Sequence, residues 1–128
     1  MKNCVLVDSS VWIAATRKGG NHTEAAAELE DLLVSGRAAM TEPIWFELYQ
    51  GIRGKQEEAR LEASKNYCTW LTFDDACWKE AAKTARACQR SRVNVPFGDV
   101  LVYACATRYG VELLERDRHF AMIRKVMK

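Results

Sequence analysis

Long apolar runs are missing from this sequence. No stretch of the 128 residues approaches the ~18 consecutive apolar residues of a membrane-spanning helix, so an integral membrane protein of that kind is excluded. The opening Met1–Asp8 segment carries an apolar stretch too short for the core of a signal peptide. A cytoplasmic protein is therefore expected. Cysteine arithmetic excludes more. Cys4, Cys68, Cys77, Cys88 and Cys105 are odd in number and contain no Cys-x-x-Cys, which supports neither a disulfide framework nor a zinc site. Cys88 and Cys105 fall among Ala and Val, and the set reads as small core hydrophobes in a reducing compartment. Histidine is scarce: His22 and His119 are the only two, and neither has an obvious partner. No internal repeat, coiled coil or low-complexity segment occurs. The net charge of +2 neither demands nor forbids a nucleic-acid partner, so charge placement must decide.

What is present fits one domain over residues 1–128 with a real core; about two-thirds of the unfolded surface can be buried at this length. Cys4-Val-Leu-Val7 reads as a strand buried on both faces. Asp8-Ser-Ser10 follows as a polar elbow and helix start. Lys18-Gly-Gly20 breaks that helix, and Asn21 with Glu24 resembles a capping box. Ala25, Leu29, Leu32 and Leu33 form the next helical face. A second strand is expected over 37–41. A helix then opens near Pro43 with an Ile44–Leu48–Ile52 stripe. Residues 55–66 read as a charged helix, 67–73 as a third strand, and the segment after Asp74 or Asp75 as a helix with a Trp78–Ala81–Ala85–Cys88 face. A loop over 90–98 leads into a helix over about 99–109, stopped by Gly110, and Val111–Leu114 reads as a last strand. This alternation predicts an α/β fold: a three-layer α/β/α sandwich with a central parallel sheet of four to five strands.

In such a sheet the ligand site lies at the carboxyl ends of the strands. Four acids fall there: Asp8 after the first strand, Glu47 in the helix after the second, Asp99 at a helix start, and Asp117 after the last strand. Two carboxylates about 4 Å apart repel by roughly 4 kcal/mol at an effective dielectric near 20. A hard divalent cation removes that repulsion, and Mg²⁺ or Mn²⁺ suits oxygen ligands. Taken singly, each of these acids is more commonly a helix cap or a turn residue. Glu42 and Glu47 are about 140° apart on a helix, so they should not face one ion.

The residues around these acids resemble a known family. Val5-Leu-Val-Asp8-Ser-Ser-Val-Trp12-Ile, Thr41-Glu-Pro43-Ile-Trp-Phe-Glu47-Leu-Tyr-Gln-Gly51, Gly98-Asp99-Val-Leu-Val-Tyr-Ala-Cys-Ala106 and Leu113-Leu-Glu-Arg-Asp117-Arg-His-Phe120 are similar to the four motifs of the PIN domain, in particular VapC-type toxins of toxin–antitoxin pairs. The resemblance implies a PIN-like fold and a metal-dependent endoribonuclease in which Asp8, Glu47, Asp99 and Asp117 hold Mg²⁺ or Mn²⁺. It implies in-line attack of an activated water, oriented by Asp99 or Asp117, leaving 5′-phosphate and 3′-hydroxyl ends. Ser10 would help orient that water. It also implies a homodimer, a cognate VapB-type antitoxin whose tail covers the site, and a structured RNA substrate such as a tRNA or rRNA loop. Glu115 stands where many relatives carry a non-acidic residue, and it is expected to point to solvent.

Basic residues flank the motifs as candidate phosphate contacts: Arg17 and Lys18, Arg53 and Lys55, Arg90 and Arg92, Arg116 and Arg118. Trp12, Trp45 and Tyr49 are candidates for base stacking, with core packing or an interface the commoner use of such positions. Two other acid-bearing α/β classes fit less well. A response-regulator receiver needs an acidic pair after its first strand, and a haloacid-dehalogenase-type phosphatase needs an acid where Ser10 stands. A catalytically silent PIN-like module that binds RNA or protein remains the alternative to the enzyme.

Overall fold

The computed structural model describes residues 3–16 and 23–128. The expected Lys18-Gly-Gly20 break, the Asn21 cap, Arg17 and His22 lie outside them. The elements run β1 (Val5–Val7), α1 (Ser9–Thr16), α2 (Thr23–Val34), β2 (Ala38–Met40), α3 (Glu42–Gln50), α4 (Lys55–Ser64), a 3₁₀ turn (Lys65–Tyr67), β3 (Thr69–Trp70), α5 (Asp75–Arg90), α6 (Phe97–Tyr109), β4 (Glu112–Leu114) and α7 (His119–Met127). The four strands form one parallel sheet in the order β3-β2-β1-β4. The central strand β1 pairs Val5 with Ala38 on one side and with Glu112 on the other.

Parallel neighbours need crossovers, and right-handed crossovers turn helices onto one face or the other according to the direction of travel. The chain steps from β1 through β2 to β3, then returns past β1 to β4. Helix contacts divide accordingly: α1 packs on α2 and α3, whereas α5 packs on α6 and α7. The result is the expected three-layer sandwich. β1 and β2 are buried throughout, as a sheet covered on both faces requires. Leu6, Val7, Met40, Ile44, Leu71, Phe120 and Ile123 are at most 1% exposed and join the two helical layers through the sheet. Four of the five cysteines are buried and the fifth is half-buried, all of them free thiols.

Local chemistry fixes the element ends. Pro43 sits in the first turn of α3, where no amide hydrogen is needed. Gly110 closes α6 at φ 65°, a left-handed conformation that favours glycine. Most element ends fall within two residues of expectation, with α6 opening at Phe97 rather than Asp99, and two departures are larger. The third strand shrinks to two residues because Lys65–Tyr67 coils into a 3₁₀ turn. An unexpected helix, α7, ends the fold and buries Phe120 and Ile123.

Helix α4 buries no residue. Polar contacts hold it instead. The Tyr49 hydroxyl lies 2.9 Å from Glu58 and 2.6 Å from Glu62, and the Lys65 ammonium sits 4.8 Å from the Trp45 ring centre and 5.9 Å from that of Trp70. Trp45 and Tyr49 are therefore taken up in this packing, and Trp12 is 7% exposed. Packing is thus the use these three positions find, as their helical placement favoured over base stacking.

Asp74 caps α5 by accepting the Cys77 amide at 3.0 Å and pairs with Arg108 of α6 at 2.8 Å. The guanidinium first, and the Cys77 amide second, pull its pKa down to about 2. A depressed carboxylate pKa stabilises the fold above the ordinary range near 3.8, and that contribution disappears as pH falls towards 2. The melting temperature of Asp74→Asn is expected to lie below that of the parent at neutral pH. The gap should narrow steadily below pH 4, and also at high salt because the pair is at the surface. Calorimetry across pH checks this; a gap independent of pH would remove the ion pair from the account.

Candidate functional site

The carboxyl ends of β1 and β4 lie side by side, and the Asp8 amide donates to the Leu114 carbonyl at 2.9 Å. This pairing places Asp8, at the end of β1, next to the turn that carries Asp117. Asp8 is 2% exposed. Its Oδ2 accepts the Ser10 amide at 3.0 Å, while its Oδ1 has no hydrogen-bond partner among the described residues. Burial pushes the Asp8 pKa up, the Ser10 bonds oppose that rise, and the charge of Asp117 adds to it.

Asp99 sits in the first turn of α6, 7% exposed. Its Oδ2 is also without a hydrogen-bond partner among the described residues, and the His119 ring lies 3.4 Å away. Burial, followed by the charges of Asp117 and Asp8, raises its pKa to about 7. Asp117 Oδ1 accepts the His119 backbone amide at 2.9 Å and meets the His119 Nδ1 at 2.7 Å. Burial opposes ionisation of Asp117 too, yet these two bonds outweigh it and its pKa is lowered. Asp99, Asp117 and His119 thus offer three ligand atoms within 4.8 Å of one another.

Glu47 approaches from α3. The Ser9 hydroxyl donates to its Oε1 at 3.2 Å. Burial first, then the Asp8 charge, raises its pKa. Gly98 explains how it fits: a methyl group built there would stand 3.0 Å from Glu47 Oε2. The absence of a side chain at residue 98 leaves the space that this carboxylate occupies beside Asp99.

The structure therefore brings all four expected acids to one end of the sheet, with Asp99 and Asp117 in the close group with His119 and Asp8 and Glu47 beside it rather than in it. It adds His119, which carried no periodic or capping signal; its closeness to Asp117 in the chain was the single hint. It corrects Glu115. That side chain does not face solvent but ties the turn together, accepting the Asp117 amide at 3.0 Å and pairing with Arg124 of α7 at 2.9 Å. The Ser10 hydroxyl accepts the Arg116 amide at 2.9 Å, so it latches the β4 turn to the start of α1. Arg116 pairs with Glu24 at 3.3 Å and Glu28 at 3.7 Å, which engages one expected phosphate contact with α2. Glu42 points elsewhere, as the helical angle required, accepting the Trp70 indole at 2.6 Å and the Phe73 amide at 2.7 Å. A groove of about 670 Å³ between α1, α3 and α4 runs up to Glu47, with Trp12, Arg53 and Arg60 on its walls.

Residues 5–126 match the family model described as the PIN domain. The chain is 33% identical over 126 residues to a VapC ribonuclease of Mycobacterium bovis and equally to ribonuclease VapC11 of Mycobacterium tuberculosis, covering 95% of this chain and 92% of each relative. Among solved structures it resembles FitAcB of Neisseria gonorrhoeae, with a TM-score of 0.75 at 17% identity over 94% of this chain and 93% of that one. VapBC2 of Rickettsia felis, bound to a promoter DNA fragment, gives 0.75 at 12% identity over 93% and 92%. VapC20 of Mycobacterium tuberculosis, described as a toxin that cleaves the sarcin-ricin loop, gives 0.67 at 16% identity over 92% and 93%.

Proposed function

The chain belongs to the PIN domain family, and we propose that this single domain over residues 1–128 is the endoribonuclease toxin of a toxin–antitoxin pair, hydrolysing RNA through a divalent cation. One observation carries the reading: Asp8, Glu47, Asp99 and Asp117, from four separate segments, converge at the carboxyl edge of the sheet. The donor set fits Mg²⁺ or Mn²⁺. It is made of carboxylate oxygens; Asp8 Oδ1 is buried with no hydrogen-bond partner among the described residues, a state that costs stability unless something positive faces it, and buried Asp99 Oδ2 has the His119 ring 3.4 Å away but no hydrogen bond. Asp8, Asp99 and Asp117 would hold the ion, with Glu47 alongside. When bound, such an ion offsets charge on the phosphate and makes a neighbouring water more acidic.

The protein's own groups do the rest. Ser10 fixes the rotamer of Asp8, and Ser9 fixes that of Glu47. Asp99 or Asp117 orients the attacking water and takes its proton. His119 holds Asp117 Oδ1 in place through two bonds. In-line attack by water opposite the departing 3′-oxygen leaves 5′-phosphate and 3′-hydroxyl ends. A structured RNA loop, as in tRNA or rRNA, is the proposed substrate. A VapB-type antitoxin is the proposed partner, and the toxin is proposed to be a homodimer in the cytoplasm. The groove beside Glu47 is the proposed seat of an inserted antitoxin segment, because it runs up to the acidic site.

The test is product chemistry. Cleavage of structured RNA should stop in EDTA and return with Mn²⁺ or Mg²⁺, and mass spectrometry should find 5′-phosphate ends. Asp8→Asn should remove cleavage while the far-ultraviolet spectrum stays unchanged. Ends carrying 2′,3′-cyclic phosphate, or full cleavage in EDTA, would overturn the mechanism.

A further inference from the structure

Asp117 and His119 stand two residues apart, where the chain leaves β4 and enters α7. This turn is firmly held. The Phe120 amide returns to the Asp117 carbonyl at 3.2 Å, and Glu115 engages both the Asp117 amide and Arg124. Phe120 itself is fully buried. With its neighbours fixed in this way, the His119 side chain is only 23% exposed and is turned towards the acids rather than out to solvent.

Its Nδ1 faces two carboxylates at once, Asp117 Oδ1 at 2.7 Å and Asp99 Oδ2 at 3.4 Å. One ring nitrogen cannot bond to both. It takes Asp117 and leaves Asp99 Oδ2 without a hydrogen bond, on a side chain 9% exposed. Such a buried, unpaired oxygen is costly. Asp117 Oδ1 has little need of the ring, because it already accepts the His119 amide at 2.9 Å. The three side chains each offer one donor atom, all within 4.8 Å of one another. Neighbouring donors on an octahedral ion with bonds of about 2.1 Å stand roughly 3 Å apart, and the two ring-to-carboxylate separations lie on either side of that value.

We infer that His119 is itself a ligand of the cation at the acidic site, which makes the donor set a mixture of nitrogen and oxygen and selects Mn²⁺ over Mg²⁺. On loading, Nδ1 exchanges its bond to Asp117 for one to the ion, with the ring neutral and its proton on Nε2. The backbone amide keeps Asp117 in place, and Asp99 Oδ2 gains the partner it lacks. Mg²⁺ favours oxygen and gives up its waters reluctantly, whereas imidazole suits the transition metals. The assignment rests on the acidic site taking a divalent cation, as the nuclease reading requires.

The experiment measures the ion rather than the reaction. The full chain is titrated with Mn²⁺ and, separately, with Mg²⁺ by calorimetry at pH 8, and the Mn²⁺-loaded protein is examined by pulsed electron paramagnetic resonance. The parent should show modulation from a directly bonded nitrogen and bind Mn²⁺ at least about tenfold more tightly than Mg²⁺. His119→Asn can still donate a hydrogen bond to Asp117 but offers no ring nitrogen. It should lose the nitrogen modulation and roughly tenfold or more in Mn²⁺ affinity, with Mg²⁺ affinity little changed. A residue that only positions Asp117 would be replaced by Asn without either loss. Absence of nitrogen modulation in the parent would overturn the assignment, and so would an unchanged ratio of Mn²⁺ to Mg²⁺ affinity in His119→Asn. If Mn²⁺ binds with nitrogen modulation yet structured RNA stays intact, the nuclease reading fails and the ligand stands. If RNA is cut in Mn²⁺ and no nitrogen is bonded to the ion, the ligand fails and the nuclease reading stands.

Discussion

Replacing Asp99 by Asn is expected to lower RNA cleavage by roughly a hundredfold or more and, at the same time, to raise the melting temperature of the metal-free protein. The two effects share one cause. Asp99 is almost wholly buried, has an oxygen without a hydrogen-bond partner among the described residues, and faces the charges of Asp117 and Asp8. Its pKa is raised from the ordinary 3.8 to about 7. Between those values the folded chain holds a proton that the unfolded chain has lost. The stability of the metal-free protein must therefore fall as pH rises through that window. Asn at residue 99 keeps the shape and removes both the charge and this slope. Thermal denaturation of parent and variant between pH 4 and pH 8 checks the prediction, with and without Mn²⁺. Mn²⁺ should stabilise the parent far more than the variant, through binding to the folded state. A variant melting below the parent in EDTA at pH 8 would show that Asp99 serves the fold rather than the ion.

Phe120→Ala should produce the largest loss of stability. Phe120 is fully buried and joins the core that runs through the sheet. Truncating such a ring costs about 3–5 kcal/mol, against a total stability of only about 5–15 kcal/mol for a domain. A fall in melting temperature of roughly 10–25 °C follows at this length. The loss has a functional side. Phe120 and Ile123 are the buried anchors of α7, and α7 opens with His119, which is bonded to Asp117. Chemical denaturation measures the first effect. Residual cleavage well below the new midpoint measures the second. A change of less than about 1 kcal/mol would mean that α7 is not anchored through this ring.

Much of this fold was legible in the amino-acid order. A continuous Val-Leu-Val run followed by Asp-Ser-Ser can be little but a buried strand turning into a helix, and this one assignment fixed the position of Asp8. Position after a strand likewise located Asp117, and the Gly98-Asp99 start located the third acid. What escaped was spatial. Glu115 finds Arg124 by folding back over a turn, and no periodicity relates residues nine apart across such a break. His119 enters the site through a local bond to Asp117. The shortened β3 reflects its place at the sheet edge, where pairing with a single neighbour lets the 3₁₀ turn prevail. Trp12, Trp45 and Tyr49 lie on helix faces, where core packing or an interface was the favoured use. Packing took them up, leaving Phe97 and Trp78 at the surface.

The pairing of β1 with β4 has a consequence for synthesis. The central strand receives one of its two neighbours only from residues 112–114, so contacts of very high sequence separation must close before the sheet is complete. Asp8 emerges early and waits about a hundred residues for Asp117. A nascent chain stalled before β4 therefore has no assembled acidic pocket, and the site forms only once the chain has passed Asp117.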